Sequence, residues 1–380
     1  MDLKHQQRAF LSVFFFLSGF CFSTWASRIP TIKTVFGYNE AELGTILLFM
    51  PLSSLLGLPI SGWLVSRFDS RIPLSIAFVL LSVSLSCVGL AGNSFFLIVS
   101  ISVFAFSMRI LNIAMNTQAI ALQKIFDRRI NGSFHGLWST GGIVGVGFST
   151  LMVGLKITMD IHLVIVSMIT VLTTLYAYRF LLRNDRAVEG NKLVLSKPDP
   201  YIVYLGLLVF CAAICEGGMF DWGGIYFKEV VGAELFTLGY LTFMICMALS
   251  RFASDRVIES IGMAKTFVAS ACLILSGILI AIIFPTFWPA MVGFCLVGFG
   301  TASIFPMTLL LAGGSKKYSP GLAISIISTY SIVGMLIGPP MIGYIAHAFD
   351  LRVSFIAFAV TGLLLIPISR LFFRHQRSMD

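Results

Sequence analysis

Twelve stretches of about 20 consecutive apolar residues run through this chain from end to end, each long enough to cross roughly 30 Å of hydrocarbon as a helix. They are read at residues 10–34, 43–66, 73–92, 95–121, 133–155 and 161–182, and again at 201–227, 236–254, 264–284, 287–312, 320–346 and 352–373. Such continuous runs lack the alternation of a barrel strand. In lipid every backbone N–H and C=O must be satisfied internally, so helices are the required reading. Composition agrees: of 380 residues 57% are hydrophobic and 11% charged, with a mean hydropathy of +0.94, whereas soluble domains carry about 25% charged residues. The expected fold class is an all-α membrane protein with twelve transmembrane helices in two pseudo-symmetric six-helix bundles.

Lys4 and Arg8 ahead of FLSVFFFLSGF, with small residues near Ala26, resemble the parts of a signal peptide. The apolar run is longer than a signal core and eleven more spans follow, so a retained first helix is expected. Of the 26 Lys and Arg, all but Arg28, Lys33, Arg109, Lys156, Lys228 and Arg352 fall on one side of the expected topology, together with both chain ends. The positive-inside rule then puts both termini in the cytoplasm of a bacterial-type inner membrane. The net charge of +9 is explained by topology and gives no support to nucleic-acid binding. Seven cysteines are scattered through the spans and match no metal or disulfide spacing; Cys211 and Cys215 share a helix face and are read as small packing residues.

The stretch RNDRAVEGNKLVLSKPDP (183–200) is the one long polar interruption between spans. It suggests an N-terminal six-helix bundle over 1–182, a cytoplasmic linker over 183–200 and a C-terminal six-helix bundle over 201–380. If the halves are duplicates, fragments should recur at a fixed offset. STGGIVG (139–145) returns as STYSIVG (328–334), and Ser66-Arg67 falls opposite Asp255-Arg256, both at an offset of 189 residues. A weaker echo sets STWAS (23–27) opposite FDWGG (220–224). Six plus six repeats is the plan of a transporter that rocks one half against the other.

GWLVSRFDSRIPL (62–74) resembles the loop signature of the major facilitator superfamily: a glycine, an acid, then clustered basic residues. It departs from that pattern at Ser66, where the family has Asp, and at Asp69, where it has Gly. The second copy, SRFASDRVIESIGMAK (250–265), keeps the acid as Asp255. The resemblance implies a conformational latch built from Arg67, Arg71, Asp255 and Arg256, and the loss of the acid at Ser66 leaves the first latch in question. WASRIP (25–30), AMNTQA (114–119), FHGLWSTGG (134–142) and EGGMFDW (216–222) together resemble the YbjJ- and MosC-like branch of that superfamily, near the fucose permeases. The resemblance implies a secondary transporter and hints at polyols or sugars.

The most unusual stretch is CEGGMFDWGGIYF (215–227), which puts two acids inside a span. At 1.5 Å per residue from Tyr201, Glu216 lies about 22 Å along its helix, near mid-membrane, and Asp221 about 30 Å, near the outer end. An ionised carboxylate at mid-membrane costs on the order of 3 kcal/mol on insertion scales, so it faces a wet cavity, pairs with a cation or stays protonated. Glu216 and Asp221 are therefore expected to couple transport to protons; a permanently paired structural acid is the alternative, with Lys228 as the partner for Asp221. Gly217, Gly218, Gly223 and Gly224 are expected to weaken the helix and let it break there.

Arg109 is the expected cation for Glu216. With Asn112 and Asn116 it follows i, i+3, i+7 spacing, which confines the three to one helix stripe. Asn donors and acceptors suit hydroxyl groups, so the stripe is read as a sugar or polyol surface, against interhelical packing as the alternative. Gln118 points to the other side and is read as packing. His135 in FHGLW is a possible proton relay or a polar residue at a helix entrance. Trp25, Trp138 and Trp222 are candidates for stacking on a sugar ring, or interface anchors. Tyr330 and Ser328, which match Gly141 and Ser139 in the other half, are second-rank cavity candidates.

Other classes are weaker. The chain has no HExxH, no convincing Ser/His arrangement and no P-loop, so no enzyme chemistry, metal or cofactor is expected. The expected protein is a monomer that takes a small solute, protons and a lipid bilayer as partners. Uptake of a sugar or polyol is the first reading, export of a small organic compound or drug the second, and a non-transporting membrane receptor the alternative of another class.

Overall fold

The computed structural model describes residues 3–126, 130–183, 185, 199–315, 317–318 and 320–379, with the backbone alone for Asn131, Asp255, Pro320, Gly321, Ser378 and Met379. Among the described residues the chain is helical throughout, in fourteen α-helices. In the first part they are α1 (Leu3–Phe36), α2 (Glu40–Arg67), α3 (Arg71–Gly89), α4 (Ser94–Gln123), α5 (Asn131–Gly154) and α6 (Met159–Ala177). In the second they are α7 (Pro200–Glu229), α8 (Thr237–Ile261), α9 (Met263–Ile283), α10 (Phe287–Thr301), α11 (Ile304–Gly313), α12 (Pro320–Ala348), α13 (Leu351–Ser354) and α14 (Ile356–Met379). They make twelve membrane spans, because α10 with α11, and α13 with α14, each share one. The α10–α11 break has a local cause: Pro306 lacks an N–H and its ring crowds the carbonyl four residues back, at Ala302. Gly262, at φ +80°, makes the turn between α8 and α9, a conformation other residues resist.

The helices form two compact units. Unit 1 comprises Met1–Phe36 and Phe49–Lys192; unit 2 comprises Gly37–Leu48 and Leu193–Asp380. Most of the expected linker, residues 184 and 186–198, lies outside the described residues. Within unit 1, α1 packs on α5, and α3 packs on α4 and α6. Unit 2 repeats the scheme: α7 packs on α12, and α9 packs on α10 and α14. Lipid tails give helices no hydrophobic reason to associate, so close packing through small residues carries these contacts.

The repeated heptapeptide shows how. In unit 1, a Cβ at Gly145 would lie 2.6 Å from the Phe20 carbonyl oxygen, and in unit 2 a Cβ at Gly334 would lie 2.7 Å from that of Phe210. One turn earlier the two units differ. Gly141 lets α5 approach so closely that a Cβ there would overlap the Phe16 carbonyl, whereas Tyr330 fills the matching place on α12 and its ring lies against Gly206 on α7. Unit 2 has moved the small residue to the opposite helix.

The expected break in α7 does not occur: the helix is continuous from Pro200 to Glu229. Its glycines accept neighbours instead. A Cβ at Gly218 would overlap the Phe358 ring, and one at Gly223 would come 3.0 Å from that of Phe294. Tyr226, Phe294, Phe355 and Phe358 form a continuous aromatic cluster there, and the Tyr226 hydroxyl donates 2.6 Å to the Ala281 carbonyl. The α7 acids therefore sit on a helix held fast at one end.

Candidate functional site

In unit 2, Glu216 and Asp221 occupy the middle and the second half of α7. Counting from Pro200, Glu216 is about 24 Å and Asp221 about 32 Å along a helix about 45 Å long. Glu216 is ion-paired, but not to the expected Arg109: its Oε1 accepts from Nη2 of Arg251 on α8 at 3.3 Å. The pair is partly open, with 17% of the Glu216 and 34% of the Arg251 side chain exposed. Asp221 is half-buried and, among the described residues, has no hydrogen bond or ion pair. The pairing with Lys228 considered for it is not made; Lys228 lies over the Phe236 ring at 5.4 Å.

In unit 1, Arg109, Asn112 and Asn116 are all half-buried on one face of α4. Arg109 Nε donates to Ser54 Oγ on α2 at 2.9 Å, and Asn116 Nδ2 donates to the Asn112 carbonyl at 2.8 Å. Gln118 is buried on the other side, bonded both ways to the Leu182 backbone, as packing residues are. His135 is exposed near the start of α5 and its ring meets Phe15 edge-on at 5.7 Å. Trp138 is half-buried beside Phe22.

Two aromatic candidates are enclosed. Trp25 keeps 1% of its surface, packed against Phe104, and Trp222 keeps 0%. Neither offers a ring face to a solute in this conformation, because nearly all of each side chain is covered by protein. Tyr330 is half-buried with its ring taken up by Gly206.

Of the expected latch residues, Arg67 and Arg256 are exposed, and the Asp255 side chain lies outside the described residues. Arg71 reaches Asp69 at 4.0 Å and lies over the Tyr178 ring. An acid does serve this loop, from an unexpected place. Buried Asp185, at the start of the linker, accepts the Ser70 N–H at 2.9 Å and the Ser70 hydroxyl, at the N-terminus of α3. A carboxylate there satisfies a free helix donor and favours the helix dipole. Asp185→Ala is expected to lower unit 1 stability by about 1 kcal/mol, read as a lower Tm in detergent; an unchanged Tm would make the contact incidental.

A buried cation was also missed. Arg28 on α1 is 3% exposed, and its Nε donates 3.0 Å to His162 Nδ1 while Nη2 donates 3.1 Å to the Ile157 carbonyl. Elsewhere in unit 2 an open cavity of about 510 Å³ is lined by Glu40, Glu229, His347, Asp350 and Arg352; its acids begin, end or cap helices, so they do not sit at membrane depth.

Two compact helical units with the same packing scheme, divided within α2 so that Gly37–Leu48 goes with the second, are the frame in which the sequence matches can be weighed. The family model of the Major Facilitator Superfamily matches residues 10–315 and 235–379. The chain belongs to the major facilitator superfamily. It is a multi-pass membrane transporter of that type. A transporter of Yersinia pestis, named as an uncharacterized MFS-type transporter, is 32% identical over 359 residues, 93% of this chain and 92% of that one. Membrane protein MosC of Rhizobium meliloti is 29% identical over 366 residues, 95% and 89% of the two chains. The fold is shared with solved transporters of low identity. The nucleoside transporter NupG aligns at TM-score 0.78 and 13% identity, over 98% of this chain and 99% of that one. An inward-facing bacterial homolog of the human lysosomal transporter Spinster gives 0.78 and 15%, over 98% of both.

For a superfamily transporter the residue that reading the sequence missed most plainly is Arg251. It was counted with the basic residues at the end of the eighth span, because hydropathy falls at SRFASDR. The helix continues to Ile261, which puts Arg251 ten residues, about 15 Å, inside it. An arginine that far from a helix end is the signal that could have found it.

Proposed function

We propose that this chain is a proton-coupled secondary transporter of a small hydroxylated organic solute, working by alternating access in an inner membrane with both termini cytoplasmic. The observation that carries the proposal is Asp221: a carboxylate inside the seventh span, half-buried, with no hydrogen bond or ion pair among the described residues. An uncompensated charge there is costly, and proton relays are a recurrent reason for keeping an acid in a span. Glu216 has its compensation in Arg251, so Asp221 takes the proton and the Glu216–Arg251 pair holds α7 to α8. The solute is met in unit 1 by Arg109, Asn112 and Asn116, whose polar atoms share one half-buried face. The six-helix bundles and their linker belong to the same proposal, as does the inward side of the basic residues.

The test uses proteoliposomes loaded with a pH indicator and offered a panel of sugars, polyols and sugar acids under an inward proton gradient. Wild type is expected to accumulate a solute uphill with proton entry. Asp221→Asn is expected to lose uphill accumulation while keeping downhill counterflow, and Glu216→Gln to keep some accumulation. Full accumulation by Asp221→Asn would remove the proton role. Binding with no movement of any solute would favour a receptor.

A further inference from the structure

We infer that the transported solute is an organic anion, a small hydroxylated carboxylic acid whose carboxylate is held by Arg109. The inference rests on the transport reading above and adds the solute's charge to it. Of the four arginines eight or more residues from either end of their helix, Arg370 is exposed, and the other three are partnered in three different ways. Arg28 is sealed, at 3% exposure, with His162 and the Ile157 carbonyl taking its donors. Arg251 has the carboxylate of Glu216. Arg109 has a serine hydroxyl, no carboxylate among the described residues, and a half-buried position that leaves it within reach.

The way Arg109 is held matters as much as what it lacks. It lies 15 residues into α4, about 22 Å along a helix of about 45 Å, so it sits at the midpoint. Gly57 on α2 allows close approach: a Cβ there would lie 3.2 Å and 3.3 Å from Arg109 Cβ and Cγ, so the stem is pressed onto α2. One turn earlier on α2, Ser54 accepts from Nε at 2.9 Å. Bonding through Nε fixes the plane of the guanidinium and leaves the edge formed by its two Nη groups without a protein partner among the described residues. That edge presents two parallel donors, the geometry that takes a carboxylate bidentately. A guanidinium at this depth is costly in hydrocarbon, and a neutral hydroxyl does not cancel its charge. A solute carboxylate does.

The neighbours define the rest of the solute. One turn on, the Asn112 side chain has no protein partner among the described residues, and Asn116 spends one amide hydrogen on the Asn112 carbonyl, keeping its Oδ1. These groups suit hydroxyls rather than a second charge. A monocarboxylate with several hydroxyl groups, such as a sugar acid, matches both features. Carried together with one proton on Asp221, such an anion crosses without net charge.

The purified full-length protein in detergent is tested by thermal shift against D-gluconate and D-galacturonate. The comparison compounds are neutral D-glucitol and D-galactose, cationic D-glucosamine, and inorganic phosphate and chloride. At least one of the two acids is expected to raise the Tm, while the neutral and cationic compounds of the same skeleton and the inorganic anions do not. Arg109→Lys and Arg109→Gln are expected to weaken binding of that acid about tenfold or more, the loss expected of a charge-assisted hydrogen bond. Ser54→Ala, which keeps the charge and frees the plane, should weaken it less. Stabilisation by the neutral or cationic compounds instead, by phosphate or chloride equally, or by neither acid overturns the inference, as does undiminished acid binding in Arg109→Gln. Proton-driven uptake of D-galactose but not of the acids would leave the transport reading standing and overturn this one. Binding of the acids through Arg109 without uptake would do the reverse.

Discussion

Gly141→Ala is expected to destabilise the protein by about 3 kcal/mol or more, the upper end of what an inserted methyl costs in a packed interior. The new Cβ would overlap the Phe16 carbonyl, and a backbone atom cannot step aside as a side-chain tip can. Relief requires α1 and α5 to separate along a seam that also brings Gly19 against the Trp138 carbonyl and Gly145 against that of Phe20. The expected readout is a collapse of monodisperse yield or a large fall in Tm. Gly147→Ala on the same helix is the control, since a Cβ there meets nothing within 4 Å. There alanine should be neutral or stabilise by roughly 0.5–1 kcal/mol through its better helix propensity. Equal tolerance of the two substitutions would mean that the α1–α5 seam is looser than described.

Arg251→Met should be the second most damaging change. Removing one member of a fully buried ion pair costs roughly 3–5 kcal/mol because the other charge is stranded. Arg251 keeps 34% of its side chain exposed, and solvent screening reduces the expected cost to about 2 kcal/mol. The companion double variant, Glu216→Gln with Arg251→Met, leaves no stranded charge and should recover most of the loss. Tm values for the wild type, the two single variants and the double variant complete a thermodynamic cycle. If Arg251→Met and the double variant are equally unstable, the 3.3 Å contact does not couple the two residues, and the assignment of Asp221 as the uncompensated acid loses its contrast.

Particular residues show where sequence reading carried and where it stopped. The two acids of α7 stand out because hydrocarbon makes any charge expensive, and that cost is a property of residue type and depth alone. The α4 stripe was visible because a helix repeats every 3.6 residues, which places Arg109, Asn112 and Asn116 together whatever surrounds them. Which cation meets which acid was not visible. Glu216 found Arg251, because α8 continues beyond the point where its hydropathy falls. The glycines of α7 suggested a broken helix; they are contact points for Phe358 and Phe294, and a glycine's sequence is the same in either use. The acid expected at Ser66 is matched near that loop by Asp185, 115 residues from Ser70 along the chain.

The sequence by itself determined that this chain spans a membrane twelve times as helices, because span length, backbone hydrogen bonding and helix period act within one segment at a time, and its motifs pointed to a transporter of the major facilitator superfamily. Only the tertiary structure decided which tryptophans are core, which arginine neutralises Glu216 and which acid is left uncompensated. Those outcomes depend on ångström-scale approach between side chains on different helices, which no single segment specifies.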